Sequence, residues 1–142
     1  DSGFFKMVSW AKEVIEREIL SAADFIRAKS IVEKAYSEAK DKRVIVLDGP
    51  YPADDILKQY PEPLYIVKLR QDKRWGVKCV GTKDSSFDNR KSLPIEWAGL
   101  RDFELQKVTG VKDAVFCHRG RFIVLAESKE GALELARLAV EY

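Results

Sequence analysis

Residues 64–69 read Leu64-Tyr65-Ile66-Val67-Lys68-Leu69, and residues 75–80 read Trp75-Gly76-Val77-Lys78-Cys79-Val80, with Gln71-Asp72-Lys73-Arg74 between them. Both runs are short, apolar and rich in β-branched or aromatic residues, and the polar tetrapeptide reads as a turn. Alternation puts Trp75, Val77 and Cys79 on one face of the second run and Gly76, Lys78 and Val80 on the other. Two strands joined this closely form an antiparallel hairpin most simply, so the fold contains a sheet that is at least partly antiparallel.

Upstream, Val44-Ile45-Val46-Leu47 is a buried strand ended by Asp48-Gly49-Pro50, and residues 54–60 form a short helix stopped by Pro61. Lys40-Asp41-Lys42-Arg43 is a polar link. Before it, residues 4–40 carry helical periodicity through Met7, Ala11, Val14, Ala22, Phe25, Lys29, Val32 and Tyr36. A single helix of that length is unusual, so a break is expected near Ser21 or Asp24, both good N-caps. Phe4, Phe5 and Trp10 either cap the domain's own core or belong to an interface.

Downstream, residues 81–95 form a long polar loop closed by Pro94, of the kind that is functional or disordered. Residues 102–108 make a short helix with Gly110 as its stop. Residues 114–118 and 121–126 flank Arg119-Gly120 as a second hairpin, and Ser128 caps a final helix whose apolar stripe is Ala132, Leu133, Ala136, Ala139 and Val140. The class is α+β: a mixed, mostly antiparallel sheet of about five strands, a long N-terminal helical segment over 1–40, and a C-terminal helix closing an α+β domain over 41–142.

The totals fit one domain with a real core: 142 residues, 46% of them apolar and 34% charged. A net charge of +2 carries no strong prior for nucleic acid or membrane, and local clustering would have to carry such a claim. No apolar run approaches the ~20 residues of a membrane span. Cys79 and Cys117 lie in apolar runs and read as buried free thiols, which fits a reducing, cytoplasmic compartment. The chain opens on Asp1 rather than Met, so a fragment or processed product is expected.

His118 is the sole histidine, and the acidic residues are scattered without ligand spacing. A self-contained metal centre is therefore not expected, and neither is a Ser-His-Asp triad, since no Gly-x-Ser-x-Gly elbow exists. Arg90, Arg101, His118, Arg119, Arg121 and Lys129 are the cations that could meet an anion, the last at the start of a helix. The plainer reading is a structural histidine beside a solvated turn. Trp97 is either a core anchor, the favoured reading, or a stacking platform for a base.

Ser86-Phe87-Asp88-Asn89-Arg90, Leu93-Pro94, Trp97, Gly99-Leu100-Arg101-Asp102, Leu105, Val108, Gly110, Phe116, His118, Phe122-Ile123 and Glu130-Gly131-Ala132-Leu133 together resemble the C-terminal half of the melanocyte-proliferating-gene exonuclease family of the DHH phosphoesterase superfamily. Residues 26–32 are similar to that family's helix before the C-terminal domain. The resemblance implies a catalytic N-terminal domain holding Mn or Mg, whose motifs are not in this sequence, and a C-terminal domain that closes over substrate. It departs at Val124-Leu125, where the family usually carries paired glycines; branched side chains there obstruct a phosphate and suit a buried strand.

The expected function is a non-catalytic substrate-binding or structural domain of such a phosphoesterase. Its partners would be single-stranded RNA or a nucleotide and the catalytic domain in cis or trans. The contacts would be Arg90, Trp97, Arg101, His118, Arg119, Arg121 and Lys129. The alternative is a stand-alone module that self-associates through its N-terminal helix and binds no nucleotide.

Overall fold

The computed structural model describes residues 22–84 and 88–142. Expectations on Phe4, Phe5, Met7, Trp10, Ala11, Val14, Ser21, Ser86 and Phe87 lie outside the described residues. Helix α1 (Ala22–Glu38) leads to β1 (Val44–Leu47), and the short α2 (Asp54–Leu57) to the hairpin β2 (Tyr65–Leu69) and β3 (Trp75–Cys79). A 3-10 turn (Ile95–Trp97) and α3 (Asp102–Thr109) precede the hairpin β4 (Ala114–Cys117) and β5 (Ile123–Ala126), and α4 (Lys129–Glu141) closes the fold. The strands form one sheet in the order β1-β2-β3-β5-β4, with only the β1/β2 pair parallel. The α+β class, with a mixed and mostly antiparallel sheet, is the one read from the sequence.

Register decides what each face meets. Val77 lies between Val67 and Val124, and Trp75 between Leu69 and Ala126, so one face is apolar across the sheet. It packs against Ala132, Leu135, Ala136 and Ala139 of α4, Leu105 of α3, Leu93 and Trp97. On the other face Ile45, Leu47 and Ile66 pack with Val32, Ile56 and Leu57 beneath α1 and α2. The departure residues Val124 and Leu125 are buried in β5, Val124 in the main core and Leu125 opposite Gly76 on the other face.

Two helix stripes differ from expectation. In α4 the buried side chains are Ala132, Leu135, Ala136 and Ala139, beside the buried Gly131, while Leu133 is exposed and Val140 half-buried. Steps of three, four and seven from Ala132 select those residues; Leu133 sits 100° away from Ala132 around the helix. In α1 only Ala28 and Val32 are buried, with Ile31, Ala35 and Tyr36 partly so, whereas Phe25 and Ile26 are 57% and 65% exposed. The cluster that α1 shares with Ile45 and Leu47 takes in Val32, Ile31, Ala35 and Tyr36, all in the second half of the helix.

Three cations hold carbonyls at or just beyond the ends of helices. Lys42 Nζ donates to Tyr36 O (2.8 Å) at the end of α1 and Lys91 Nζ to Val140 O (2.9 Å) in α4, while Arg90 donates to Lys58 O just past α2. Orphan carbonyls and the negative end of the helix dipole favour this arrangement.

Cys79 and Cys117 are free and buried, and burial pushes their thiols up to about 12 and about 11 respectively; burial raises the Tyr65 phenol too. The folded chain thus holds these protons more tightly than the unfolded chain. The stability this confers is complete below about pH 9 and is lost as pH rises through the folded values. Melts are expected to shift downward between about pH 7 and pH 10.5, and a thiol reagent at neutral pH is expected to label neither cysteine until denaturant is added. Rapid labelling of the native chain would contradict the buried placement.

Candidate substrate-contact surface at the β4–β5 hairpin

The hairpin turn is built from His118 to Arg121. Arg121 N–H donates to His118 O (2.9 Å), and His118 N–H to Ile123 O (3.0 Å). The left-handed residue is Arg121 (φ 59), not the glycine beside it. A side chain in that conformation costs roughly 1–2 kcal/mol and persists where neighbours over-determine it. Here Arg121 O accepts from Leu93 N–H (3.0 Å) and from the Cys79 thiol (3.4 Å), and its guanidinium returns a bond to Leu93 O (3.3 Å).

His118 is exposed, and its Nδ1 accepts from Gly120 N–H (2.8 Å), which fixes the ring and leaves Nε2 as its other polar atom. Its ring lies 4.5 Å from Phe122 and 6.2 Å, edge-on, from Phe116. The Arg101 guanidinium stands 5.0 Å over the Phe116 ring. Arg101 is placed there because residues 99–101 run along the outer edge of β4: Gly99 N–H donates to Cys117 O (3.1 Å), and Cys117 N–H to Leu100 O (2.9 Å). A continuous row results, Arg101–Phe116–His118–Phe122, with Arg119 exposed at the turn beside it.

Next to this row lies a shallow cleft of about 290 Å³, walled by Phe122, Gly120, Asn89 and the Lys78–Asp54 ion pair (2.9 Å). Asp54 Oδ1 has no hydrogen-bond partner among the described residues.

Of the seven residues expected to meet substrate, Arg101, His118 and Arg119 stand open at this end of the sheet. The other four are placed differently. Trp97 is 4% exposed inside the main core, so its ring has no open face for a base. Arg90 donates to Pro63 O (2.9 Å) and Lys58 O (2.8 Å), and ties the 81–95 loop to the α2–β2 connection. The Arg121 guanidinium pins Leu93. Lys129 lies at the opposite end of the sheet, against Asp48 (3.5 Å) and over the Trp75 ring (5.6 Å).

The N-terminus of α4 is filled from within the chain. Ser128 Oγ accepts from Gly131 N–H (3.0 Å) and donates to the Asp113 carboxylate, which occupies the space a side chain at residue 131 would take. An external anion finds that helix end already capped.

Among the described residues, no group of three or more His, Cys, Asp or Glu is placed to hold a metal ion. The Mn or Mg implied by the resemblance has no donor set there, and no chemical step is assigned to it in these residues. Among the same residues, no helix is long and apolar enough to cross a membrane.

Residues 1–140 match the family MYG1_exonuc, described as an uncharacterised protein family (UPF0160). The chain belongs to the MYG1 exonuclease family. It is 31% identical over 142 residues to a MYG1 protein of Schizosaccharomyces pombe, covering 96% of this chain and 43% of that protein. It is 28% identical over 144 residues to the MYG1 exonuclease of Homo sapiens, covering 89% and 38% respectively. A MYG1 protein of Caenorhabditis elegans is 44% identical over 68 residues, covering 47% of this chain and 20% of that protein. The chain spans about two fifths of the length of the first two of these relatives. No solved structure matches it.

Within this MYG1 family member, reading the residues by type selected Arg101, His118, Arg119 and Arg121 at the hairpin but did not place Phe116, Phe122 or Lys78 among the contact residues. The signal for two of them was period-2 alternation: Phe116 falls on the same side of its strand as His118, and Lys78 lies opposite the Val77/Cys79 face.

Proposed function

We propose that this chain is the C-terminal, non-catalytic part of a DHH-type, metal-dependent exonuclease, and that it holds single-stranded RNA or a short oligonucleotide for a catalytic part acting in cis or in trans. The observation that carries the reading is the open row of Arg101, His118 and Arg119 beside a cleft, in a chain whose family includes a human relative named an exonuclease. A guanidinium offers several donors in a fork that suits phosphate oxygens. Bond cleavage, with its Mn or Mg, is assigned to the part of the family's length that this chain does not span. Two buried thiols suit a cytoplasmic setting.

The test is a titration of the 142-residue chain with a labelled single-stranded RNA between about 50 and 200 mM salt. Affinity is expected to fall as salt rises, and an Arg101→Ala/Arg119→Ala double variant is expected to bind about tenfold more weakly with a shallower salt slope. No binding at the lowest salt would overturn the proposal. A second reading, a self-associating module that binds no nucleotide, is favoured by the exposed Phe25 and Ile26 on α1; light scattering of a Phe25→Ser/Ile26→Ser variant separates the two.

A further inference from the structure

We infer that the hairpin holds unpaired bases by stacking them on the Phe122 and His118 rings, so that this surface takes single strands and not duplexes. The inference rests on the proposed nucleic-acid role and goes beyond phosphate contact. Phe122 is 38% exposed and its ring lies 4.5 Å from His118 at an angle of 49°, so the two present adjoining π faces tilted to one another, the Phe122 face being the one open to a base. His118 is not free to swing away, because Gly120 N–H holds its Nδ1. The Arg101 guanidinium, 5.0 Å over the Phe116 ring, places a cation at the far end of the row.

Charge argues for a polyanion as the occupant. Arg101 and Arg119 flank the rings, and Lys78 stands in the adjoining cleft. Asp102 follows Arg101, Asp88 precedes Asn89 of the cleft wall, and Asp54 Oδ2 already binds Lys78, which leaves Arg101 and Arg119 as the open cations of this surface. A ring platform between cations is the arrangement that binds single strands with little sequence preference, because every base has a π-face. A base inside a duplex has both faces covered by its neighbours and cannot use it.

The experiment titrates the full 142-residue chain with three probes of equal length: oligoadenylate, an abasic strand with the same phosphates, and a duplex. Oligoadenylate is expected to bind about 5- to 150-fold more tightly than the abasic strand. Phe122→Ala is expected to remove most of that advantage, read as the ratio of oligoadenylate to abasic affinity within the variant, and Phe122→Tyr to keep it. A thermal melt of each variant confirms folding; Phe122 is partly exposed, so its truncation leaves the core intact.

If oligoadenylate and the abasic strand bind equally, the substrate-contact reading stands and the stacking inference falls. It falls too if the duplex binds as tightly as oligoadenylate. If none of the probes binds, the substrate-contact reading itself falls, and the row is then better read as a surface for protein.

Discussion

Trp97→Ala is expected to destabilise the domain by about 3–5 kcal/mol and to lower its melting temperature by roughly 10–20 °C. The indole is 4% exposed and belongs to the same buried cluster as Leu93, Leu105, Val111 and Cys117. It enters the core from the 3-10 turn that follows Pro94, so its loss opens a cavity where the loop, α3 and β4 meet. Side chains at such a junction collapse poorly into a void, which places the cost toward the upper end for large-to-small changes. Trp97→Phe keeps part of the volume and is expected to cost less than half as much. The measurement is a thermal melt beside the RNA titration. An unchanged melt with lost RNA binding would restore Trp97 as a stacking platform.

Arg90→Ala is expected to cost about 2–4 kcal/mol, because it removes two charge-assisted hydrogen bonds and leaves their partly buried acceptors unpaired. Those acceptors are Pro63 O and Lys58 O, 27 and 32 residues away in the chain. A planar guanidinium reaches both at once. Arg90→Lys presents a single ammonium and is expected to recover only about half of the loss. Urea denaturation measures the cost. RNA affinity measured well below the melting transition is expected to stay near that of the parent, since this side chain is spent inside the fold. A large loss of affinity with unchanged stability would return Arg90 to the contact surface.

Most of the fold was legible because its elements obey local periods. The two hairpins and the short β1 run show the alternation or apolar continuity of buried strands, and Ser128 and Gly110 mark helix ends by their own backbone chemistry. The site was legible only in part. Charge and residue type singled out Arg90, Arg101, His118, Arg119, Arg121 and Lys129 alike, although in the fold three are open and three are engaged. Nothing local distinguishes Arg101, which lies over Phe116, from Arg90, which meets carbonyls about thirty residues away.

By itself, the sequence determined the α+β class, the element order, the buried thiols and the kinship with the MYG1 family, since each depends on composition, short periods or residue identity along the chain. Only the tertiary structure decided which cations remain open. It also decided which face of α1 is buried, that Trp97 lies in the core while Phe116 and Phe122 line the surface, and that Asp113 closes the α4 N-terminus. The physical reason is the same in each case. A polar or aromatic side chain takes whichever partner the packing of distant segments brings within reach, and that partner is set by sheet order and register, not by its neighbours in the chain.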